Sequence, residues 1–181
     1  MACTTITQGI SRGCRDNAGG VYQFYIATRP INTVVYTDNI NGITGIEGDG
    51  TEIMFYPFIP NKNSSDFTEN YQVSLENGTV GYEQVVTMIF SKMEVAKANN
   101  IKMIAQNSML VIIKDKNGNF FLMGENDGAE LSGGNSGTGK VLTDLNGYNI
   151  TLTAMEGDQA SQINFDNINI DSTDGTLEVM A

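Results

Sequence analysis

An alternation of apolar and polar residues over much of positions 67–90 is the strongest folding signal in this chain. The alternation has the period of two that side chains follow along a β-strand. Asn77-Gly78 interrupts the pattern, and Asn-Gly is a preferred sequence for a two-residue hairpin turn. We therefore predict an antiparallel hairpin with one apolar face and one polar, uncharged face. The predicted apolar face contains Phe67, Tyr71, Val73, Leu75, Val80, Tyr82, Val86, Met88 and Phe90.

A short helix is predicted over residues 91–106, directly after this hairpin. Ser91 and Glu94 have the spacing of a capping box, in which each side chain bonds the backbone N–H of the other residue. Asn107 is a suitable terminator. The helix residues predicted to share one apolar side are Met93, Ala96, Ile101 and Ile104. An amphipathic sheet must cover its apolar face, and we expect this helix to provide the cover.

Strand-like segments lie on both sides of the predicted helix. Residues 109–113 form a continuous apolar run, which is typical of a strand buried on both faces. Asp115-Lys-Asn-Gly118 is a turn sequence, and residues 119–123 are expected to return as the partner strand. Further strands are predicted at 21–28, 33–37 and 51–59. Pro57 and Pro60 place the last of these at a sheet edge or end it.

A second Asn-Gly pair, Asn146-Gly147, predicts another hairpin, between residues 140–145 and residues 148–154. Glycine, serine and asparagine dominate residues 125–139, which we expect to be a loop. Residues 38–50 have a similar composition and fit either a long loop or an extended hairpin tip. The 181 residues are thus expected to form a single, mainly β domain with one short helix.

The chain is strongly acidic, with 21 Asp and Glu residues against 10 Lys and Arg, a formal charge of −11 and a pI near 4.2. Proteins that grip nucleic acid through its phosphates need clustered Lys and Arg, so this class is disfavoured. The sequence has no histidine, which removes the commonest general base and the commonest metal ligand. It also lacks a nucleophile elbow. We therefore predict a protein that is not an enzyme and that uses no cofactor or metal.

Two motif matches are weak. Gly134–Lys140 spells G-x-x-x-x-G-K, the start of a P-loop, but Val141 stands at the Ser/Thr position and a strand pattern follows in place of a helix. A surface loop is the better interpretation. Asp115-x-Asn117-x-Asn119 resembles the start of a calcium loop, yet it lacks the glycine and the glutamate that such a loop requires. We interpret this segment as a hairpin turn.

The two ends of the chain carry weaker patterns. Residues 1–20 are small, polar and glycine-rich, and only Ile6 and Ile10 offer apolar anchors. This composition is typical of an arm that is ordered by contact with something else. Residues 156–181 form an acidic segment rich in Asn and Asp. The sequence contains no apolar run of about 18 residues, so no membrane partner is expected.

The order of these elements resembles the tail tube subunits, or major tail proteins, of bacteriophages. The resemblance rests on a strand hairpin, a short helix, the Asp115–Gly118 hairpin, and a hairpin carrying Leu145-Asn-Gly-Tyr148 and Leu152-Thr153. The N-terminal Cys3 and Gly13-Cys-Arg-Asp-Asn-x-Gly-Gly-Val21 also resemble the openings of virion proteins from phages of Bacteroidetes-type hosts. The resemblance covers most of the chain and consists of turn residues and sheet patterns.

The resemblance implies an antiparallel β-sandwich or barrel. In that family, six subunits join their sheets into a ring around a channel for DNA, and rings stack into a tube. It also implies a structural virion protein that is made in the host cytoplasm. Its partners would be copies of itself and other tail or connector proteins. The candidate channel-lining residues are Thr68, Asn70, Gln72, Ser74, Asn149, Thr151 and Thr153.

Contacts between rings are expected from the arm at 1–20 and from the loops at 38–50 and 61–65. The candidate inter-ring residues are Ile6, Ile10, Ile40, Ile43 and Ile46. Two other functions stay open. A head–tail connector or tail terminator ring shares this general fold, and a decoration or binding β-domain of the virion belongs to a different class. A binding domain would be expected to expose aromatic residues in loops, whereas most Tyr and Phe residues here lie in strand patterns.

Overall fold

A computed structural model describes residues 9–10, 12–30, 34–39, 42–48 and 51–163. Within these ranges the chain forms twelve β-strands and one α-helix. The first strands are β1 (Val21–Thr28), β2 (Val34–Asn39), β3 (Gly42–Gly48), β4 (Thr51–Glu52), β5 (Tyr56–Phe58), β6 (Asp66–Ser74) and β7 (Thr79–Ser91). The helix α1 (Val95–Gln106) is followed by β8 (Met109–Asp115), β9 (Phe120–Met123), β10 (Glu130–Gly137), β11 (Gly147–Glu156) and β12 (Ser161–Gln162). The prediction of a mainly β chain with one short helix is confirmed.

The strands form three antiparallel sheets. A five-stranded sheet has the order β12-β9-β8-β1-β5, a four-stranded sheet the order β10-β11-β7-β6, and a three-stranded sheet the order β2-β3-β4. The five-stranded sheet lies in the middle, because buried side chains cover both of its faces. In the part of the chain that the structure describes, none of the sheets closes into a barrel.

One core fills the space between the five-stranded and four-stranded sheets. Phe24 and Val111 of the middle sheet pack there with Val86 and Leu152 of the four-stranded sheet, and all four side chains are fully buried. Ile104 of α1 joins this core. The helix therefore covers part of the apolar face of the four-stranded sheet, as predicted. The five-stranded sheet covers the rest.

A second core lies on the other face of the middle sheet. Tyr25, Leu110 and Ile112 pack there against Ile46 of β3 and against Phe55. Strand β8 thus contributes alternate side chains to both cores. This arrangement confirms the prediction of a strand that is buried on both faces, and it explains why its sequence is apolar without alternation.

The β6–β7 hairpin has the predicted faces but not the predicted turn. Strand pairing places Phe67 opposite Val86 on the apolar side. Ser74 pairs with Thr79, so the connection has four residues and the prediction of a two-residue Asn-Gly turn is wrong. The hydroxyl oxygen of Ser74 accepts the backbone N–H of Asn77 at 3.3 Å, which favours this longer loop.

The predicted capping box is also wrong. β7 continues through Ser91, whose hydroxyl lies 2.8 Å from the side-chain oxygen of Asn61. Lys92 then has a left-handed backbone with a φ of +67°, which ends the strand. The helix begins only at Val95. Glu94 occupies the N-cap without a side-chain cap bond and forms an ion pair with Lys92 instead.

The helix ends as predicted but buries less than predicted. Asn107 is its C-terminal cap. Of the four residues predicted to share an apolar side, Ile104 is buried and Ile101 is half-buried. Met93 precedes the helix, and Ala96 is exposed. The late start of the helix, four residues after Ser91, accounts for the loss of its first apolar position.

Two segments rich in glycine form strands. Residues 42–48 are β3 and pair with β2, so the extended hairpin is the correct alternative for residues 38–50. Residues 130–137 are β10, and the prediction of a loop over 125–139 is wrong for them. The sequence of β10 has little strand propensity, but its pairing with β11 holds it extended. Such tertiary pairing commonly overrides propensity.

The segment predicted as the first strand of the last hairpin is a series of turns. The carboxylate of Asp144 accepts the backbone N–H groups of Lys140 at 2.7 Å and Val141 at 3.0 Å. These bonds use backbone groups that a strand would need for its ladder. Gly147 is the first residue of β11, so the predicted Asn-Gly turn is wrong here as well.

Gly134 provides a test of how β10 is held. It has a φ of +146°, and a Cβ at this position would lie 2.5 Å from the backbone oxygen of Asn149. We expect Gly134→Ala to lower the free energy of unfolding by about 1–3 kcal/mol. Gly133→Ala is the matched control, because nothing lies within 4 Å of a Cβ there and its backbone is not left-handed. Chemical denaturation of both variants measures the difference, and equal stabilities would contradict the close approach.

Candidate assembly surfaces

The four-stranded sheet turns one face away from the core. Residues that pair across antiparallel strands point to the same face. Val85 of β7 pairs with Thr68 on one side and with Thr153 on the other, so these three residues form a row across the sheet. The row lies opposite the buried row of Val86 and Leu152. We call this outward surface the polar face.

All seven candidate channel-lining residues lie on the polar face. Their positions follow from the strand pairings of β6 with β7 and of β7 with β11. The residues are Thr68, Asn70, Gln72, Ser74, Asn149, Thr151 and Thr153. The structure therefore brings together residues that are up to 85 positions apart in the sequence, as the difference between 68 and 153 shows. Whether the face lines a channel remains a prediction.

The polar face is acidic, which corrects the prediction that it is uncharged. The pairings place Asp66, Glu83 and Glu130 on it. The side-chain amides of Asn70 and Gln72 both donate to one carboxylate oxygen of Glu83, at 3.4 Å. The four strands of this sheet contain no Lys and no Arg. The face also carries the apolar side chains of Val85, Ile89 and Met155. It thus offers hydrogen-bonding groups, negative charge and some apolar surface, but no cation to hold a phosphate.

The four-stranded sheet has two open edges. Among the described residues, β6 pairs only with β7, and β10 pairs only with β11. The edges are nine and eight residues long, and neither strand contains a lysine or a proline. Natural proteins protect an edge strand by one of these residues, by a bulge, by an inward-pointing charge or by a cover. Here β10 has a bulge between Leu131 and Gly133, and β6 carries the inward Glu69. Edges of this length can accept strands of another chain.

The candidate inter-ring isoleucines have different positions. Ile10 is fully exposed in the N-terminal arm. Ile46 is only 5 % exposed and packs in the second core of its own chain. Ile43 belongs to β3, which pairs with β2. Ile6 and Ile40 lie outside the described residues.

The described part of the arm makes few contacts with the rest of the chain. Residues 12–20 are exposed. Ala18 is an anchor, because its backbone N–H donates to the side-chain oxygen of Asn117 at 2.8 Å and its carbonyl accepts from the amide of the same residue at 2.9 Å. Cys14 is a free, exposed thiol. The acidic segment beyond residue 163 lies outside the described residues.

Neither weak motif forms a ligand site. Gly134 of the P-loop-like sequence lies in β10, Gly139 lies two residues beyond the end of that strand, and turns rather than a helix follow. At the calcium-like sequence, the Asp115 carboxylate accepts the backbone N–H groups of Asn117 at 2.8 Å and Asn119 at 2.7 Å. Burial raises the pKa of Asp115, but the hydrogen bonds from both asparagines outweigh it and hold the pKa below its ordinary value. Across the described ranges, no group of three or more Cys, Asp or Glu side chains could hold a metal ion.

Sequence reasoning missed a buried carboxylate at Glu156. This side chain is 4 % exposed and accepts the backbone N–H groups of Asn126 and Asp127, with distances of 3.1–3.2 Å. It fixes the loop that leads into β10. Glu156 continues the buried alternation of β11, in which Leu152 and Ala154 point inward. That period of two was the signal that could have identified it.

The same loop is held from the other side by Arg29 and Tyr36. The guanidinium of Arg29 donates to the carbonyl of Asn126, and the Tyr36 hydroxyl donates to the carbonyl of Glu125 at 2.5 Å. Burial, and secondarily the carboxylate of Glu125, raises the pKa of Tyr36 well above its ordinary value. The phenol therefore stays neutral in the folded chain at a pH at which it ionises in the unfolded chain.

This raised pKa predicts a loss of stability at alkaline pH. The contribution of Tyr36 is fully present below the unfolded-state pKa of about 10 and is lost as the pH rises above it, because only the unfolded chain releases the proton. We expect the free energy of unfolding of Tyr36→Phe to fall less steeply above about pH 10 than that of the unchanged chain. Tyr56→Phe, at an exposed tyrosine, is the control. Thermal unfolding at stepped pH measures both, and identical slopes would refute the assignment.

No helix in the described residues is long and apolar enough to cross a membrane. Comparisons with known protein families, with curated proteins and with solved structures find no match for this chain. The surfaces of the chain that are available for interaction include the polar face, the two open edges of the four-stranded sheet and the exposed arm.

Proposed function

We propose that this chain is a tail tube subunit of a bacteriophage, which assembles into rings that stack around a channel for DNA. One observation carries the proposal. The four-stranded sheet combines two open edges with an outward face that is polar and free of Lys and Arg. The open edges supply a means of closing a ring, and the polar face supplies the wall of its channel.

The size of the sheet fits a channel of useful width. If six copies join, as in the family that the sequence resembles, roughly 24 strands form one closed barrel. With strands about 4.8 Å apart and tilted by about 40°, the barrel is roughly 48 Å across between backbones. Side chains on the wall reduce the open width to roughly 35–40 Å. A DNA duplex passes through such an opening.

The electrostatics of the polar face suit passage rather than binding. Tight non-specific binding of DNA comes from Lys and Arg that neutralise phosphates and release counterions. The polar face has none of these residues and carries Asp66, Glu83 and Glu130. Like charges on the wall and on the phosphates repel each other. The hydroxyl and amide groups keep the wall wet, and DNA is therefore not retained.

Ring closure also solves the problem of the exposed edges. A nine-residue edge strand presents a row of unpaired N–H and C=O groups. Pairing β6 of one subunit with β10 of the next satisfies both edges at once, and a closed ring leaves none open. In this proposal, backbone hydrogen bonds join the subunits around the ring, which makes the interface directional and insensitive to the side chains of β10.

Assembly is the first property to measure. We expect the purified chain, examined by negative-stain electron microscopy and sedimentation velocity over a range of concentrations, to form rings or tubes with a central hole of roughly 35–40 Å. Tubes would favour the stacking subunit, and isolated rings would favour the connector or terminator alternative. A chain that sediments as a monomer at every concentration would contradict the proposal and favour the decoration or binding domain.

A cationic wall tests the position of the polar face. We expect tubes that carry Thr68→Lys and Thr151→Lys to retain a short DNA duplex at low salt, protect it from nuclease and release it at high salt. Tubes of the unchanged chain should not retain it. Asn99→Lys and Gln106→Lys, on the exposed side of α1, form the matched control with the same added charge. If the control protects DNA equally well, the polar face is not the channel wall.

A further inference from the structure

The tip of the β6–β7 hairpin carries apolar side chains that the core does not use. Tyr71 pairs with Tyr82, and Val73 pairs with Val80, on the face that is buried further along the same strands. The residues Tyr71, Val73, Leu75 and Val80, which we call the tip strip, are 62 %, 59 %, 93 % and 54 % exposed. The hairpin therefore extends past the sheet that covers its base. A contiguous apolar strip of this kind is typical of an interaction surface.

A second apolar surface lies between α1 and β5. It is a cavity of about 720 Å³ that we call the α1–β5 groove. Its apolar lining includes Tyr56, Phe58, Ile59, Phe90, Ile101 and Met103. Ile59 and Met103 are both more than half exposed, so the groove opens to the surface and can accept side chains from outside.

The two surfaces lie at opposite ends of one strand. Val80 of the tip strip and Phe90 of the groove both belong to β7 and are ten residues apart, which is about 33 Å along a strand. Because the tip strip and the α1–β5 groove lie at opposite ends of β7, they cannot contact each other within one chain. Between copies, they produce a head-to-tail contact that repeats along one direction.

The charges of the two surfaces are complementary. The loop at the hairpin tip carries Glu76 and no Lys or Arg. The helix that forms a wall of the groove carries Lys97 and Lys102 and contains no Asp or Glu. Lys97 lines the groove and forms an ion pair at 3.3 Å with Glu94, the N-cap residue, which also pairs with Lys92. The whole chain has a formal charge of −11, so this helix is a region of locally positive charge in an acidic protein. An acidic tip from another copy is therefore attracted to it, whereas most other pairs of surfaces repel each other.

We infer that the tip strip of one copy inserts into the α1–β5 groove of a second copy, and that this contact stacks one ring on the next. The inference deepens the proposed function and rests on it for the ring. The strip has four residues, far fewer than the roughly 20–30 that each partner contributes to a standard protein interface, so one contact alone is weak. A ring presents several such contacts at once, so two rings associate more tightly through them than two single chains do through one.

Disulfide trapping tests the contact without relying on ring formation. One chain carries Leu75→Cys and another carries Met103→Cys, both in a Cys3→Ser, Cys14→Ser background, and the two are mixed and oxidised. We expect a disulfide-linked heterodimer on a non-reducing gel, with the linkage confirmed by mass spectrometry. Leu142→Cys mixed with Met103→Cys is the matched control, because Leu142 is an equally exposed leucine in another loop. Equal yields from the two mixtures would overturn the inference.

A charge at the tip separates stacking from ring closure. We expect Leu75→Asp to give single rings in place of tubes in electron micrographs, and Leu142→Asp to leave tube length unchanged. Tubes of normal length from Leu75→Asp would refute the stacking contact. The proposed function and the tip contact can be refuted separately. If the disulfide forms but no rings are seen, only the proposed ring is refuted. If rings are seen but the disulfide does not form, only the tip contact is refuted.

Discussion

The ladder that β7 forms with β11 on one side and β6 on the other determines most of this structure. It joins strands of thirteen, ten and nine residues, and its register decides which side chains enter the core. Because successive side chains point to opposite faces, a slip of one residue would expose Val86 and Leu152 and bury Thr68 and Thr153. The free energy of burying the apolar row therefore also fixes the polar face. The core and the proposed channel wall are two results of one pairing.

This dependence explains what the sequence could predict. The apolar members of the alternation in the body of the sheet, such as Met88 and Ile150, are buried, whereas those at the tip of the β6–β7 hairpin are exposed. The polar members between them share the opposite face. The sequence could not predict β10, whose glycines and serines have no strand preference and are held extended by β11. It also misplaced the helix start, because Ser91 remains in β7 and bonds Asn61. Local patterns predicted elements that bury their own side chains, and failed where a distant partner decides the conformation.

The inward row of β7 also shows where the core ends. Val86 and Met88 are fully buried among apolar neighbours. The next inward residue, Gln84, is also buried but polar, and its side chain donates to Glu69 at 3.3 Å and accepts the N–H of Gly124 at 3.2 Å. Beyond it, Val80 is apolar again and more than half exposed. A satisfied polar layer thus separates the core from the tip strip, so Val73, Leu75 and Val80 lie outside the core. Tyr71 differs from them, because its ring contacts Tyr82 and its hydroxyl accepts from Gln159.

Net charge sets the conditions under which such a chain can assemble. At a formal charge of −11, copies of the chain repel each other at long range. This repulsion disfavours uncontrolled strand pairing at the open edges of a free subunit, because another copy is repelled from most directions. Assembly then needs short-range interactions strong enough to overcome this repulsion. In the proposed assembly, backbone hydrogen bonds at the two sheet edges act around the ring, and the apolar tip beside the lysines of α1 acts along the axis. The two proposed directions of assembly use different physical interactions, so each can be weakened without loss of the other. Their combination would specify a tube rather than an irregular aggregate.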